Sequence, residues 1–296
     1  MSNFLNKLKA KTSLTSTQNQ LAQASGQKSY GDDRYWKLDA DKNSGVGSAV
    51  IRFLPAPDGE DLPFVQIFKH SFKDQKTGKW YIENSLTTIG QQDYIAEENS
   101  RLWNSGIEEN KKIASSRKRN KKFITNILVV KDSKHPENEG KVFLFELGPK
   151  IFGMLETAIN PQFDDVEPID PFCMLEGANF NLRCQKVSGQ RNYDQSNFSR
   201  QSAISDDESE LERIYNSMHS LKAEIAEDKF KSYDKLKERF MQVTGQNTPP
   251  RAVEPTENDY NVAEIGGGST QTSQSTSTKQ TDDGDDFEAL YAELSE

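Results

Sequence analysis

From Trp36 onward, apolar and polar positions alternate with a period of two, the spacing of a strand with one covered face. The run "GSAVIRFLP" (47–55) predicts a short strand ended by Pro55. "LPFVQIFKHSF" and "KDQKTGKWYIE" alternate on both sides of a Gly-containing turn and predict a hairpin. "FITNILVVKD", "SKHPENEG" and "KVFLFELG" predict a second strand pair joined by a longer loop, with Phe143 and Phe145 on one face. In "GANFNLRCQKVSG", Phe180, Leu182 and Cys184 fall on one side and Asn181, Arg183 and Gln185 on the other. Five or more short strands punctuated by Gly and Pro predict a small barrel or sandwich, and an open five-stranded barrel fits the count.

The period changes to 3.6 in three places. "PKIFGMLETAI" predicts a helix begun by Pro149 in its first turn. "SDDESELERIYNSMHSLKAEI" predicts one long helix: Ser205 and Glu208 have capping-box spacing, and Leu211, Ile214, Tyr215, Met218 and Leu221 form a stripe. "SYDKLKERFMQVTG" predicts a third, ended by Gly245. The expected class is therefore mainly β with flanking helices (α+β), with helices at about 205–245 inside a core of residues 29–245.

Both ends differ from this core. Residues 1–28 are rich in Lys, Ser, Thr and Gln, with Phe4, Leu5 and Leu8 at helical spacing. They bury too little apolar surface to order alone, and predict a disordered basic arm that folds when bound. Residues 246–281, including "GGGSTQTSQSTSTKQT", have linker composition. Residues 282–296, "DDGDDFEALYAELSE", repeat Phe287, Leu290, Tyr291 and Leu294 at i, i+3, i+4 and i+7 beside Asp285 and Asp286. Such an acidic amphipathic tail predicts a peptide that docks on protein partners.

Charge sharpens the division. The net charge of −9 belongs to residues 251–296, with 11 acids against 2 bases, while residues 1–250 carry 35 of each. The arm has Lys7, Lys9, Lys11 and Lys28 and no acid, and one dense cationic run, "SSRKRNKKF" (115–123), abuts an apolar strand. Two cysteines, Cys173 and Cys184, no signal-like start and no apolar run of about 18 residues predict an intracellular protein without a membrane span.

Candidate catalysis is sparse. His70, His135 and His219 are scattered, without HExxH, CxxC or a phosphate-loop pattern, and two cysteines do not make a four-ligand zinc site. Asp164, Asp165, Glu167 and Asp170 suggest a metal-dependent nuclease as one alternative, against a solvated acidic loop. Single-strand binding needs cations that track phosphates and rings on which bases stack. Arg117, Lys118, Arg119, Lys121 and Lys122 adjoin Phe123; Trp80 and Tyr81 follow Lys79; Arg52 interrupts an apolar strand; Arg183 and Lys186 precede Tyr193. A further alternative is an interaction scaffold whose basic patch and acidic tail bind proteins, nucleic acid being secondary.

Several stretches together resemble the single-stranded DNA-binding (helix-destabilising) proteins of T-even-type bacteriophages: "AVIRFLP", "GKWYIE", "NILVVKD…PENEGKVF", "EGANF", "VSG…NYD" and "QSAI…DDES", in this order over about residues 34–245. The resemblance implies an oligonucleotide-binding (OB) fold that coats and protects single-stranded DNA cooperatively and without sequence preference, removing its secondary structure in replication, recombination and repair. It implies no enzymatic activity, action in the host cell cytoplasm, and DNA contacts at Arg52, Arg117 to Lys122, Phe123, Phe145, Tyr193 and Trp103. The family's basic-plus-Ser/Thr motif, which joins neighbouring monomers, finds its nearest match in Lys7, Lys9, Lys11, Thr12 and Ser13, interleaved here with Leu8 and Ala10. Its acidic tail recruits replication and recombination proteins and competes with DNA; binding to its own messenger RNA is a further possibility of the resemblance.

Metal is the largest departure. Relatives hold zinc through one histidine and three cysteines; His70 stands at the histidine position, but "NSLTTIGQQDYIAEENS" (84–100) has no cysteine. Ser, Gln and Glu do not replace thiolates in a soft tetrahedral site. No cofactor is expected, and the insertion at about 84–116 is expected to be held by packing of Tyr94, Ile95, Leu102 and Trp103.

Overall fold

The computed structural model describes residues 32–246. The chain forms two compact units, one taking residues up to Val65 and Phe123–Lys222, the other Gln66–Lys122 and the chain from Ala223. The arm, linker and tail lie outside the described residues.

The first unit is an antiparallel sheet with helices. Strand β1 (Gly47–Phe53) pairs with β4 (Arg119–Lys131) through Ile51↔Val129 and Phe53↔Ile127, and with β6 (Ala178–Val187) through Ile51↔Phe180. Strand β5 (Val142–Leu147) pairs with β4, setting Phe123 opposite Leu147 and Ile127 opposite Phe143. Beyond β6 lie β7 (Gln190–Asn192) and β8 (Asn197–Gln201). The β6–β7 turn is Ser188-Gly189, both at positive φ (54° and 85°), as a two-residue hairpin with right-handed strand twist demands.

Alternation along these strands fills one core with Ile51, Phe53, Ile127, Val129, Phe180 and Leu182. Cys184 completes the covered face of β6, while Arg183 is exposed. The helix Pro149–Ile159 is present as expected, with Gly148 at its N-cap, Pro149 in its first turn, and Ile151 and Leu155 buried. Its Phe152 stacks on Phe123 with centroids 3.6 Å apart and planes 5° from parallel.

The long helix expected from residue 205 is shorter, Glu208–Tyr215. Asp207, not Ser205, caps it, accepting from the Ser209 N–H. Remote side chains take the backbone beyond it. The buried Asn126 amide donates to His219 O (2.8 Å) and accepts from His219 N–H (2.9 Å), and Glu60 accepts from the Leu221 and Lys222 N–H groups. Part of the apolar stripe still buries, because Ile214 and Met218 join Leu54, Leu128 and Val142 in a second small core and Leu221 is buried, whereas Tyr215 is exposed.

The second unit contains the expected hairpin, β2 (Phe64–Lys73) with β3 (Trp80–Asn84). Its turn is held by Asp74, whose Oδ1 accepts from the Lys76 and Thr77 N–H groups, and by Gly78 at φ 68°. The insertion is two helices, α1 (Tyr94–Trp103) and α2 (Glu108–Ser116), and the chain returns as α3 (Tyr233–Thr244), ended by Gly245 at φ 71°. Phe72, Tyr81, Ile95, Phe240 and Val243 form the core with Tyr94 against it. Trp103 corrects its expected packing role: the residue is 53% exposed.

Candidate nucleic-acid interface

In the second unit the cationic run divides by alternation. Arg117 caps the C-terminus of α2, and β4 begins at Arg119, so the last cations belong to the strand itself. Lys118, Arg119 and Lys121 are exposed, whereas Lys122 is buried. The Arg119 guanidinium lies 4.2 Å from the centroid of the half-buried Phe68 ring and donates from Nη1 to Thr87 Oγ1 (2.6 Å).

Arg117 is different in kind. Its Cζ sits 5.3 Å from the Phe72 ring and 5.0 Å from Phe240, and Nη2 reaches Asp74 Oδ2 at 3.4 Å. Burial lowers its pKa, the nearby Asp74 opposing that; Asp74 itself is held below the usual carboxylate range against its own burial by the Thr77 and Lys76 N–H groups, with a smaller contribution from Arg117. Arg117, expected to meet a phosphate, thus has its guanidinium over two aromatic rings and beside a carboxylate, with its side chain 13% exposed.

The hairpin register separates a covered from an open face. His70 and Phe72 lie inside with Tyr81, while Lys73 pairs with Trp80 and Ser71 with Ile82 on the other side. There Lys73 Nζ is 5.6 Å from the Trp80 ring, and Trp80 is half-buried. A cation beside a partly open indole is what a stacked, phosphate-linked base needs. Lys73 and Phe68 escaped the sequence reading; counting the hairpin register from its turn would have placed Lys73 beside Trp80. Tyr81, expected at the site, is wholly buried, stacked on Phe72 at 5.1 Å, and burial raises its hydroxyl pKa.

In the first unit Arg183 and Lys186 are exposed on β6, with Arg191 opposite Lys186 and exposed Arg200 on β8. The remaining expected contacts are interior. Phe123 on β4, Phe145 on β5 and Tyr193, the residue after β7, belong to the main core. Arg52 is fully buried, its Nη2 donating to Cys173 O (2.8 Å) and Ser202 O (3.0 Å). A Cβ on Gly177 would stand 2.8 Å from that nitrogen, so the glycine makes room for it. Arg52 ties β1 to the loop ahead of β6 and to the residue after β8, and its side chain is wholly buried. Asp164, Asp165 and Glu167 do not converge with Asp170: among the described residues no three His, Cys, Asp or Glu side chains form a group suited to a metal.

The zinc position of the resemblance does not fit a metal either. His70 Nδ1 meets Arg117 O at 3.0 Å, and Nε2 lies 3.2 Å from Asp93 Oδ1, off the line of a good hydrogen bond. Burial would raise the Asp93 pKa, but His70 and the Ala96 and Leu86 N–H groups outweigh it and hold the carboxyl at about 2. Both cysteines are in the other unit. Among the described residues no helix is long and apolar enough to cross a membrane.

A family model described as "gp32 DNA binding protein like" matches residues 45–244. The chain is 42% identical over 238 residues to the single-stranded DNA-binding protein of Enterobacteria phage T2, covering 76% of each chain. To that of Enterobacteria phage T4 it is 42% identical over 237 residues, again 76% of each. The single-stranded DNA-binding protein of Escherichia phage SV14 is 48% identical over 77 residues, 25% of this chain and 66% of the relative.

Proposed function

This chain belongs to the gp32-like family of DNA-binding proteins, and we propose that it binds single-stranded DNA by counterion release at exposed strand cations and by base stacking on half-open rings. The pairing of Lys73 with Trp80 and of Arg119 with Phe68 carries this reading. Each presents a charge and a ring at one place, the combination that holds a phosphodiester and its base together. Backbone contact and stacking discriminate little among bases, so binding is without strong sequence preference. The antiparallel sheet of the first unit is read as an OB-type barrel, with Arg183 on the face of β6 opposite Leu182 and Cys184, and Lys186 exposed near the end of that strand.

The protein coats single strands in phage replication, recombination and repair inside the host cell, and does no chemistry on them. Neighbouring copies self-associate through residues 1–28, and the tail at 282–296 recruits replication proteins and competes with DNA for the cations. Trp80 supplies the test: an oligo-dT titration should quench tryptophan fluorescence, and Trp80→Leu should lose much of the quenching and about 1–3 kcal/mol of binding. Undiminished affinity in Trp80→Leu would remove that ring from the interface, and no binding by the unsubstituted chain would leave the scaffold reading.

A further inference from the structure

We infer that Ser85, Asp93, His70 and Asn99 form a metal-free polar hub that fixes the backbone of Arg117, and through it positions the exposed cations that follow. The inference rests on the DNA-binding reading of those cations and on the mismatch between this donor set and zinc.

The hub is built around two groups. The Arg117 carbonyl accepts from His70 Nδ1 at 3.0 Å and from Asn99 Nδ2 at 2.9 Å, which uses both its lone pairs. A carbonyl only accepts, so Nδ1 carries the proton. Asp93 gathers the other side: Oδ2 accepts from Ser85 Oγ and the Leu86 N–H, both at 3.0 Å, and Oδ1 caps α1 through the Ala96 N–H at 3.0 Å. His70, Ser85 and Asp93 are almost wholly buried, so each contact is made in a medium where a missing partner is costly.

One imidazole and one carboxylate thus join strand β2, the segment at 85–86, the start of α1 and the turn into β4. Cross-linking separate segments is also what a structural metal does. Here Nδ1 is taken by a carbonyl and Nε2 lies beside the Asp93 carboxylate without a hydrogen bond, and among the described residues no three His, Cys, Asp or Glu side chains form a group suited to a metal. The Arg117 side chain is engaged as well, between Phe72 and Phe240. With backbone and side chain both anchored, Arg117 sets where Lys118 and Arg119 emerge. His70 and Asn99 are positioning residues and touch no DNA.

Side-chain geometry gives a discriminating pair of variants in the full chain. An asparagine amide nitrogen overlays Nδ1 of histidine, and a glutamine amide nitrogen overlays Nε2. His70→Asn therefore keeps the Arg117 contact, whereas His70→Gln keeps only the Asp93 side. In oligo-dT titrations at fixed salt, Asn99→Ala and His70→Gln should each weaken binding about fivefold, the equivalent of one hydrogen bond, and His70→Asn clearly less. The dependence of log K on log salt should keep its slope in all three, because no phosphate contact is removed.

Equal losses in His70→Asn and His70→Gln, no loss in either, or a slope reduced by a full phosphate contact would each overturn the positioning role. Melting of the unsubstituted protein with added ZnCl2, and with 1,10-phenanthroline, reads the metal-free claim separately. An unchanged Tm supports it; a rise with zinc, a fall with the chelator, or stoichiometric zinc in the purified protein overturns it. Failure of the unsubstituted chain to bind oligo-dT would sink the DNA-binding reading and the positioning role with it, while the zinc result would still stand.

Discussion

Two neighbouring cations, Arg117 and Lys118, show that charge in a sequence does not state its use. Arg117 lies against two rings and an aspartate; Lys118 is exposed. Lys118→Ala should weaken binding to all sequences alike and reduce the log–log salt slope by about 0.7 on single strands, with the Tm unchanged. Arg117→Ala should instead lower stability by about 2–4 kcal/mol in urea unfolding, since it leaves the Asp74 carboxylate buried without its ion-pair partner. The same distinction holds for the rings expected at the DNA, of which Phe123, Phe145 and Tyr193 sit in the main core. Alternation shows that Phe143 and Phe145 share a face, but not whether that face is covered, and a ring suits a core as well as a base. Phe123 is committed inward by Phe152, 29 positions away and on another element, which no local pattern displays.

At the level of elements, what was legible is what is locally caused. The hairpin turn, the start at Pro149 and the stop at Gly245 each depend on residues within a few positions, and all three are present. The helix expected from residue 205 failed because its end is set by Asn126 and Glu60, far away in the chain. Asn126→Ala should therefore cost about 1–3 kcal/mol, by removing the buried amide that pairs with the N–H and C=O of the half-buried His219, and urea unfolding reads it directly. Acid should loosen the β2–β3 turn. The Asp74 pKa is depressed in the folded state, so its contribution is present above about pH 4 and lost as pH falls below that. Asp74→Asn removes the charge but keeps an acceptor; it should be less stable than the unsubstituted protein at pH 7, and the difference should shrink below pH 4.

For the whole molecule, overall charge is misleading and its distribution is informative. A protein of net charge −9 is a poor match for DNA, yet the excess lies entirely in the last 46 residues and the remainder is balanced. On the proposed reading, an acidic segment tethered to a cationic surface competes with DNA at high local concentration, and its attraction is screened with a Debye length of about 10 Å at 0.1 M salt. Deleting residues 282–296 removes seven acids, Asp282, Asp283, Asp285, Asp286, Glu288, Glu293 and Glu296, and no base. The truncated chain should bind oligo-dT more tightly than the full chain at low salt, and the two affinities should converge as salt rises, because DNA and tail lose their hold on the cations together. A gap that persists unchanged at high salt would point to apolar docking by Phe287, Leu290, Tyr291 and Leu294 in place of charge competition. Identical affinities at every salt concentration would confine the tail to recruiting partners.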